Sequence, residues 1–129
     1  MTAADRSTMF AVLEMWNGAA TDGLPDLLAP TYRGHMLGVP GGERDAAAYP
    51  ESIARYRSAF PDVEFRVVEQ FDAGNRLVTR LEARRATTSD GATSISHGMN
   101  IARFEPEARL AEEWAIWSTW QDVPEEAPA

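Results

Sequence analysis

The sequence predicts an α+β domain, with helices first and an antiparallel meander of strands after them. Two observations carry that expectation. Up to Phe60 the apolar residues recur at helical spacing, and from Val63 onward they alternate with polar ones. Turn-forming residues then fall between segments of strand length, at Asp72-Ala73-Gly74-Asn75, at Asp90-Gly91 and at Glu105 to Ala108. A chain of 129 residues suits one domain. The expected domain covers 1–120, followed by an acidic, proline-bearing tail over 121–129.

Met9, Val12, Leu13 and Trp16 lie at i, i+3, i+4 and i+7, which predicts a first amphipathic helix from about Asp5 to Thr21. Asp5 or Ser7 is its expected cap, and Asp22-Gly23 its end. Leu24 to Ala29 reads as a short helix stopped by Pro30, and Thr31 to Leu37 as an extended piece. Gly38 to Asp45 is expected to be a loop: it is glycine-rich but matches no phosphate-binding pattern. Tyr49, Ile53, Tyr56 and Phe60 share one helical face, with Pro50 tolerated in the first turn and Pro61 ending the helix. Four strands follow: Val63 to Phe71, Arg76 to Arg85, Ser94 to Phe104 and Arg109 to Trp120, with a polar loop over Thr87 to Thr93.

Composition excludes several chemistries. Cysteine is absent, so there is no disulfide and no thiolate. Lysine is absent as well, and all 12 basic residues are arginine, so iminium chemistry and a Walker-type lysine are excluded. A net charge of −8 without a basic stripe argues against nucleic acid and against anionic membranes as partners. No stretch approaches the roughly 20 apolar residues that span a bilayer. The start, Met1-Thr2-Ala3-Ala4-Asp5, has no signal-peptide pattern, so a cytoplasmic protein is expected. The two histidines and scattered acids show no metal-ligand spacing, so no metal site is expected.

Four segments carry a family resemblance: Phe60-Pro61-Asp62, Gly74-Asn75-Arg76-Leu77-Val78, Gly98-Met99-Asn100-Ile101-Ala102-Arg103-Phe104 and Glu112-Glu113-Trp114. In this order the chain resembles the SnoaL-like polyketide cyclases of the NTF2-like superfamily, over about Met9 to Trp120. The resemblance implies a cone-shaped α+β barrel, a buried pocket for a small apolar or aromatic metabolite, no cofactor, and a homodimer formed through the outer sheet face. It implies acid–base cyclisation, isomerisation or hydration of a polyketide-like or terpenoid-like compound. Four residues after the tryptophan of Glu-x-Trp the family's cyclases carry their catalytic carboxylate, and here that position is Ser118. The alternative is therefore a non-catalytic ligand-binding or dimerisation protein.

Strand alternation sorts the candidate site residues. On the last strand Leu110, Glu112, Trp114, Ile116, Ser118 and Trp120 share a face. The resemblance turns that face into the cone, placing Glu112 and Trp114 in the pocket. Ser118 is there to bind a carbonyl or a water. His97 is the candidate base if its face of the third strand is the inner one, because imidazole titrates near neutrality. The alternation leaves that face open. On the opposite face Asn100 is a candidate oxyanion donor. His35, in the early extended piece, is the second candidate base. Trp16, Tyr32 and Phe60 are the expected walls. Arg80 reads either as a cavity anion binder or as half of an exposed cross-strand ion pair.

Overall fold

A computed structural model describes residues 1–86 and 92–123. Most of the expected loop Thr87 to Thr93, including Asp90-Gly91, and the tail beyond Val123 lie outside the described residues.

The first helix, α1 (Ala3–Trp16), begins earlier and ends sooner than its periodicity predicts. Thr2 is the cap: its hydroxyl accepts the Asp5 N–H, and the Asp5 carboxylate accepts the Thr2 N–H, a reciprocal capping box. The early end has a long-range cause. The Asn17 side chain accepts from the Phe65 N–H at 2.7 Å and donates to its carbonyl at 2.9 Å. Those bonds pin the chain to the strand that carries Phe65 before another turn can form. A single helical turn, α2 (Leu24–Leu27), leads straight into β1 (Leu28–Met36), which runs through Pro30. Within the expected loop a short β2 (Glu43–Asp45) pairs with β1 and carries Arg44. The third helix is α3 (Tyr49–Ala59).

The strands β3 (Glu64–Ala73), β4 (Arg76–Ala86), β5 (Thr93–Glu105) and β6 (Arg109–Trp117) form the expected meander. Gly74, at φ 63°, supplies the left-handed residue that the first hairpin turn needs. Beyond β6 the chain leaves its strand, and β7 (Gln121–Val123) pairs back onto β5, so residues expected in the tail join the sheet. The sheet order is β2-β1-β6-β5-β4-β3, with β1 parallel to β6 and the neighbouring pairs antiparallel. The sheet is curved and unclosed, so the barrel is completed by helices and not by strand pairing. Met9, Val12 and Met15 of α1 and Ile53 of α3 pack with Leu77, Ala102 and Leu110 on the concave face.

One residue decides which side chains face that concavity. Phe104 pairs with Leu110, but the preceding Arg103 pairs with Glu112. Ala111 is therefore an extra residue, a β-bulge, and the alternation of β6 reverses across it. Leu110 points inward before the bulge; Glu113, Ala115 and Trp117 do so after it. Glu112, Trp114 and Ile116 point outward, which corrects the face expected for Glu112 and Trp114.

Candidate functional site

The concave face and the helices enclose a cavity of about 360 Å³. Its walls are mostly aromatic and aliphatic: Trp16 from α1, Tyr56 from α3, Phe65, Leu81 and Trp117 from the sheet, and Trp120 beyond β6. Ser96 and Ser118 line one part of it, and the other polar groups, Arg44, Tyr49 and Asn100, gather around Glu113, which is 3% exposed. Glu113 Oε1 accepts from the hydroxyls of Tyr32 at 2.7 Å and Tyr49 at 3.0 Å and from Arg44 Nη2 at 3.0 Å. Its Oε2 accepts from Asn100 Nδ2 at 3.3 Å. Arg44 Nε also donates to the Tyr32 oxygen at 3.2 Å, and Trp16 Nε1 donates to the Tyr49 oxygen at 3.0 Å. The guanidinium lies over the Tyr49 ring, 4.0 Å from its centroid.

The electrostatics follow from this packing. Burial, then the Glu113 charge, raises the pKa of both Tyr32 and Tyr49, so both phenols stay protonated donors. Burial works against the Arg44 charge, but Tyr49, Tyr32 and Glu113 around it outweigh that and hold its pKa above the ordinary arginine value. Tyr56 is raised by burial, partly offset by Arg85. The Arg44–Glu113 ion pair is thus ringed by the donors of Tyr32, Tyr49 and Asn100.

The residues singled out from the sequence divide between this cavity and the opposite face. Trp16, Asn100 and Ser118 line the cavity. Tyr32 stands behind Glu113 as a buried partner. Phe60 packs on Tyr56 and Trp120, next to the wall, with Arg85 over its ring at 4.2 Å. Ser118 accepts the His97 N–H with its hydroxyl at 3.0 Å. His97 itself is exposed on the outer face, paired across the sheet with Glu82, because Ser96, Gly98 and Asn100 take the inner positions of β5. His35 is outer too: its Nε2 lies 2.8 Å from Glu112 Oε2, its Nδ1 3.4 Å from Glu43, and its ring stacks on Trp114. That hydrogen bond, followed by the charge of Arg103, lowers the Glu112 pKa. Arg80 pairs with Glu69 at 2.9 Å on the exposed face. Neither histidine, nor Arg80, Glu112 or Trp114, lines the cavity. Conversely, Arg44 and Glu113 do, and the alternation did not place them there. Among the described residues no group of three or more His, Asp or Glu side chains is arranged to hold a metal, and no helix is long and apolar enough to cross a membrane.

Comparison with known proteins matches the SnoaL-like domain over residues 10–113. The chain belongs to the SnoaL-like domain family. Among curated proteins none matches the sequence. Among solved structures, IdmH from Streptomyces antibioticus, a proposed polyketide cyclase, superposes with a TM-score of 0.76 at 23% identity, covering 88% of this chain and 91% of that one. A SnoaL-like polyketide cyclase from Agrobacterium tumefaciens gives 0.71 at 18% identity over 92% of this chain and 93% of that one. An NTF2-like protein from Burkholderia pseudomallei gives 0.70 at 16% identity over 88% and 90%. At these identities the likeness is one of fold, and this SnoaL-like chain has the NTF2-like fold.

Proposed function

We propose that this SnoaL-like chain is a small-molecule enzyme that works without a cofactor. It would carry out acid–base cyclisation, isomerisation or hydration of a largely apolar, polyketide-like or terpenoid-like metabolite. The observation that carries the reading is a buried charged cluster in a mostly apolar cavity: aromatic and aliphatic walls surround Arg44, Tyr49, Asn100 and Glu113. A flat body between Trp16, Tyr56, Phe65 and Trp117 brings its polar end to that cluster. Arg44, held protonated, donates to a carbonyl oxygen and stabilises negative charge developing there. Glu113 is the carboxylate that lines the cavity among the described residues, so a proton leaving the ligand passes to it. The polyketide cyclases that share the fold support the substrate class.

The test is turnover of a panel of polycyclic aromatic ketones and epoxides, followed by mass spectrometry. Arg44→Met is expected to lower turnover about 100-fold or more, while His97→Ala and His35→Ala stay within about twofold because neither histidine reaches the cavity. Loss of activity in the histidine variants with Arg44→Met unaffected overturns the assignment. A second reading, ligand binding without conversion, is favoured by one observation: both Glu113 oxygens already accept donors, four in all. Recovery of every bound compound unchanged decides for it.

A second copy of the chain is the proposed cover for the outer sheet face. Phe71, Val78, Ile101 and Trp114 form one cross-strand row there, with Phe71 49% and Ile101 39% exposed. The expected light-scattering mass is twice 14.2 kDa, and Ile101→Glu is expected to halve it. A monomer mass for the wild type across a wide concentration range refutes the dimer.

A further inference from the structure

Arg85 stands where the inner row of β4 ends. Leu77, Leu81 and Ala83 hold the earlier inner positions of that strand. Across the sheet Arg85 pairs with Ser94, buried on the same face as Ser96 and Asn100. Alternation therefore turns the Arg85 side chain toward the concave face. Its guanidinium rests against two rings, 4.2 Å from the Phe60 centroid and 4.0 Å from the Trp120 centroid. Trp120 lines the cavity, and so does Tyr56, where the Arg85 charge is felt. A cation thus borders the apolar walls beside Trp120.

That cation is open to a partner. Among the described residues its guanidinium makes no hydrogen bond and no ion pair. Its nitrogens are not among the buried atoms that lack a partner, so they reach solvent. The acids on neighbouring elements are engaged elsewhere: Asp62 accepts the Ala86 N–H at 2.8 Å, and Asp122 accepts the Ser94 hydroxyl at 2.8 Å. The two rings restrict the long side chain before a ligand arrives, so less freedom is lost on binding. The planar guanidinium fork matches a carboxylate. Asp62 and Asp122 weigh against a doubly charged group such as a phosphate.

The placement also gives a direction. Ser94, beside Arg85, and Asn100, beside Glu113, stand roughly 20 Å apart along β5. A ligand carboxylate meets a like charge at Glu113 and an opposite one at Arg85. We propose that Arg85 binds the carboxylate of an amphipathic ligand whose apolar body fills the cavity. This rests on the reading of the cavity as a binding site. The carboxylate stays at Trp120, and the far end of the apolar body points toward Arg44 and Glu113.

The experiment is equilibrium dialysis of the full chain at neutral pH with three probes. These are 2-naphthylacetate, which is ionised there, its neutral counterpart 2-naphthylacetamide, and naphthalene, which reports the apolar walls alone. Wild type is expected to bind the acetate about fivefold more tightly than the amide. That advantage is expected to fall to about twofold or less at roughly 1 M salt, where charges are screened within about 3 Å. Arg85→Met keeps an apolar stem against the rings. In it the acetate preference is expected to vanish while naphthalene affinity stays within about threefold, a readout that unfolding would not give. Arg85→Gln takes the same measurement if the methionine variant does not fold. Equal affinities for acetate and amide in the wild type overturn the inference and leave the binding cavity standing. An unchanged preference in the Arg85 variants overturns it as well, because another cation, such as Arg44, then reads the carboxylate. Failure of all three probes to bind overturns the reading of the cavity itself.

Discussion

Glu113→Leu is expected to destabilise the protein by about 3–5 kcal/mol, the cost of leaving a buried cation without its partner. Glu113 is buried, and the Arg44 side chain is 19% exposed. Removing the carboxylate strands the guanidinium, the hydroxyls of Tyr32 and Tyr49 and the Asn100 amide together. Each loses an acceptor that water cannot readily replace. Urea unfolding at neutral pH measures the loss. The network account makes a second demand. Arg44→Met together with Glu113→Leu removes both charges and fills their space with apolar atoms, so the double variant is expected to recover a large part of the loss. Glu113→Gln, which keeps one acceptor oxygen, is expected to fall between. A loss below about 1 kcal/mol for Glu113→Leu, the level of an exposed pair, would show that the cluster is solvated and not a buried ion pair.

The pattern of the sequence made the fold legible and the site only partly so. Helices and strands were readable because 3.6-residue and two-residue periods are local properties. Helix α1 ended at Trp16 and not near Thr21 because Asn17 finds the Phe65 backbone, a partner 48 positions away. Unbroken alternation from Leu110 to Trp120 gives β6 the wrong inner face after Ala111. The bulge at Ala111 reverses it, exchanging Glu113 for Glu112 and Trp117 for Trp114. A trace of that reversal exists in the sequence: Leu110-Ala111 are both apolar and Glu112-Glu113 both acidic, so strict alternation fails at that point. For Arg44 there was no signal. It sits in a glycine-rich segment that reads as loop, and only pairing of β2 with β1 turns it toward Glu113.

Gly98 has a structural reason to be glycine, and it yields the sharpest effect on the cavity. A glycine inside a strand often marks a close approach by another group. Here the Trp117 indole, on the neighbouring strand, lies directly against it. A Cβ at position 98 would stand 2.5 Å from Trp117 Cδ2 and 2.6 Å from Cε2 and Cε3, far inside contact distance. The indole is also held edge-on by Phe65, with ring centroids 5.6 Å apart. Its least obstructed way out is into the cavity that it lines. Gly98→Ala is therefore expected to cost about 1–3 kcal/mol as overpacking and to weaken naphthalene binding about tenfold or more as the ring takes ligand space. The two effects share one cause, so one compensating change tests both. Trp117→Phe in the Gly98→Ala background trims the ring that clashes, and is expected to restore stability and binding together. Restoration of stability without binding would separate the wall from the pocket. Wild-type behaviour of Gly98→Ala would mean that the ring moves without cost, and that Trp117 does not set the shape of the cavity.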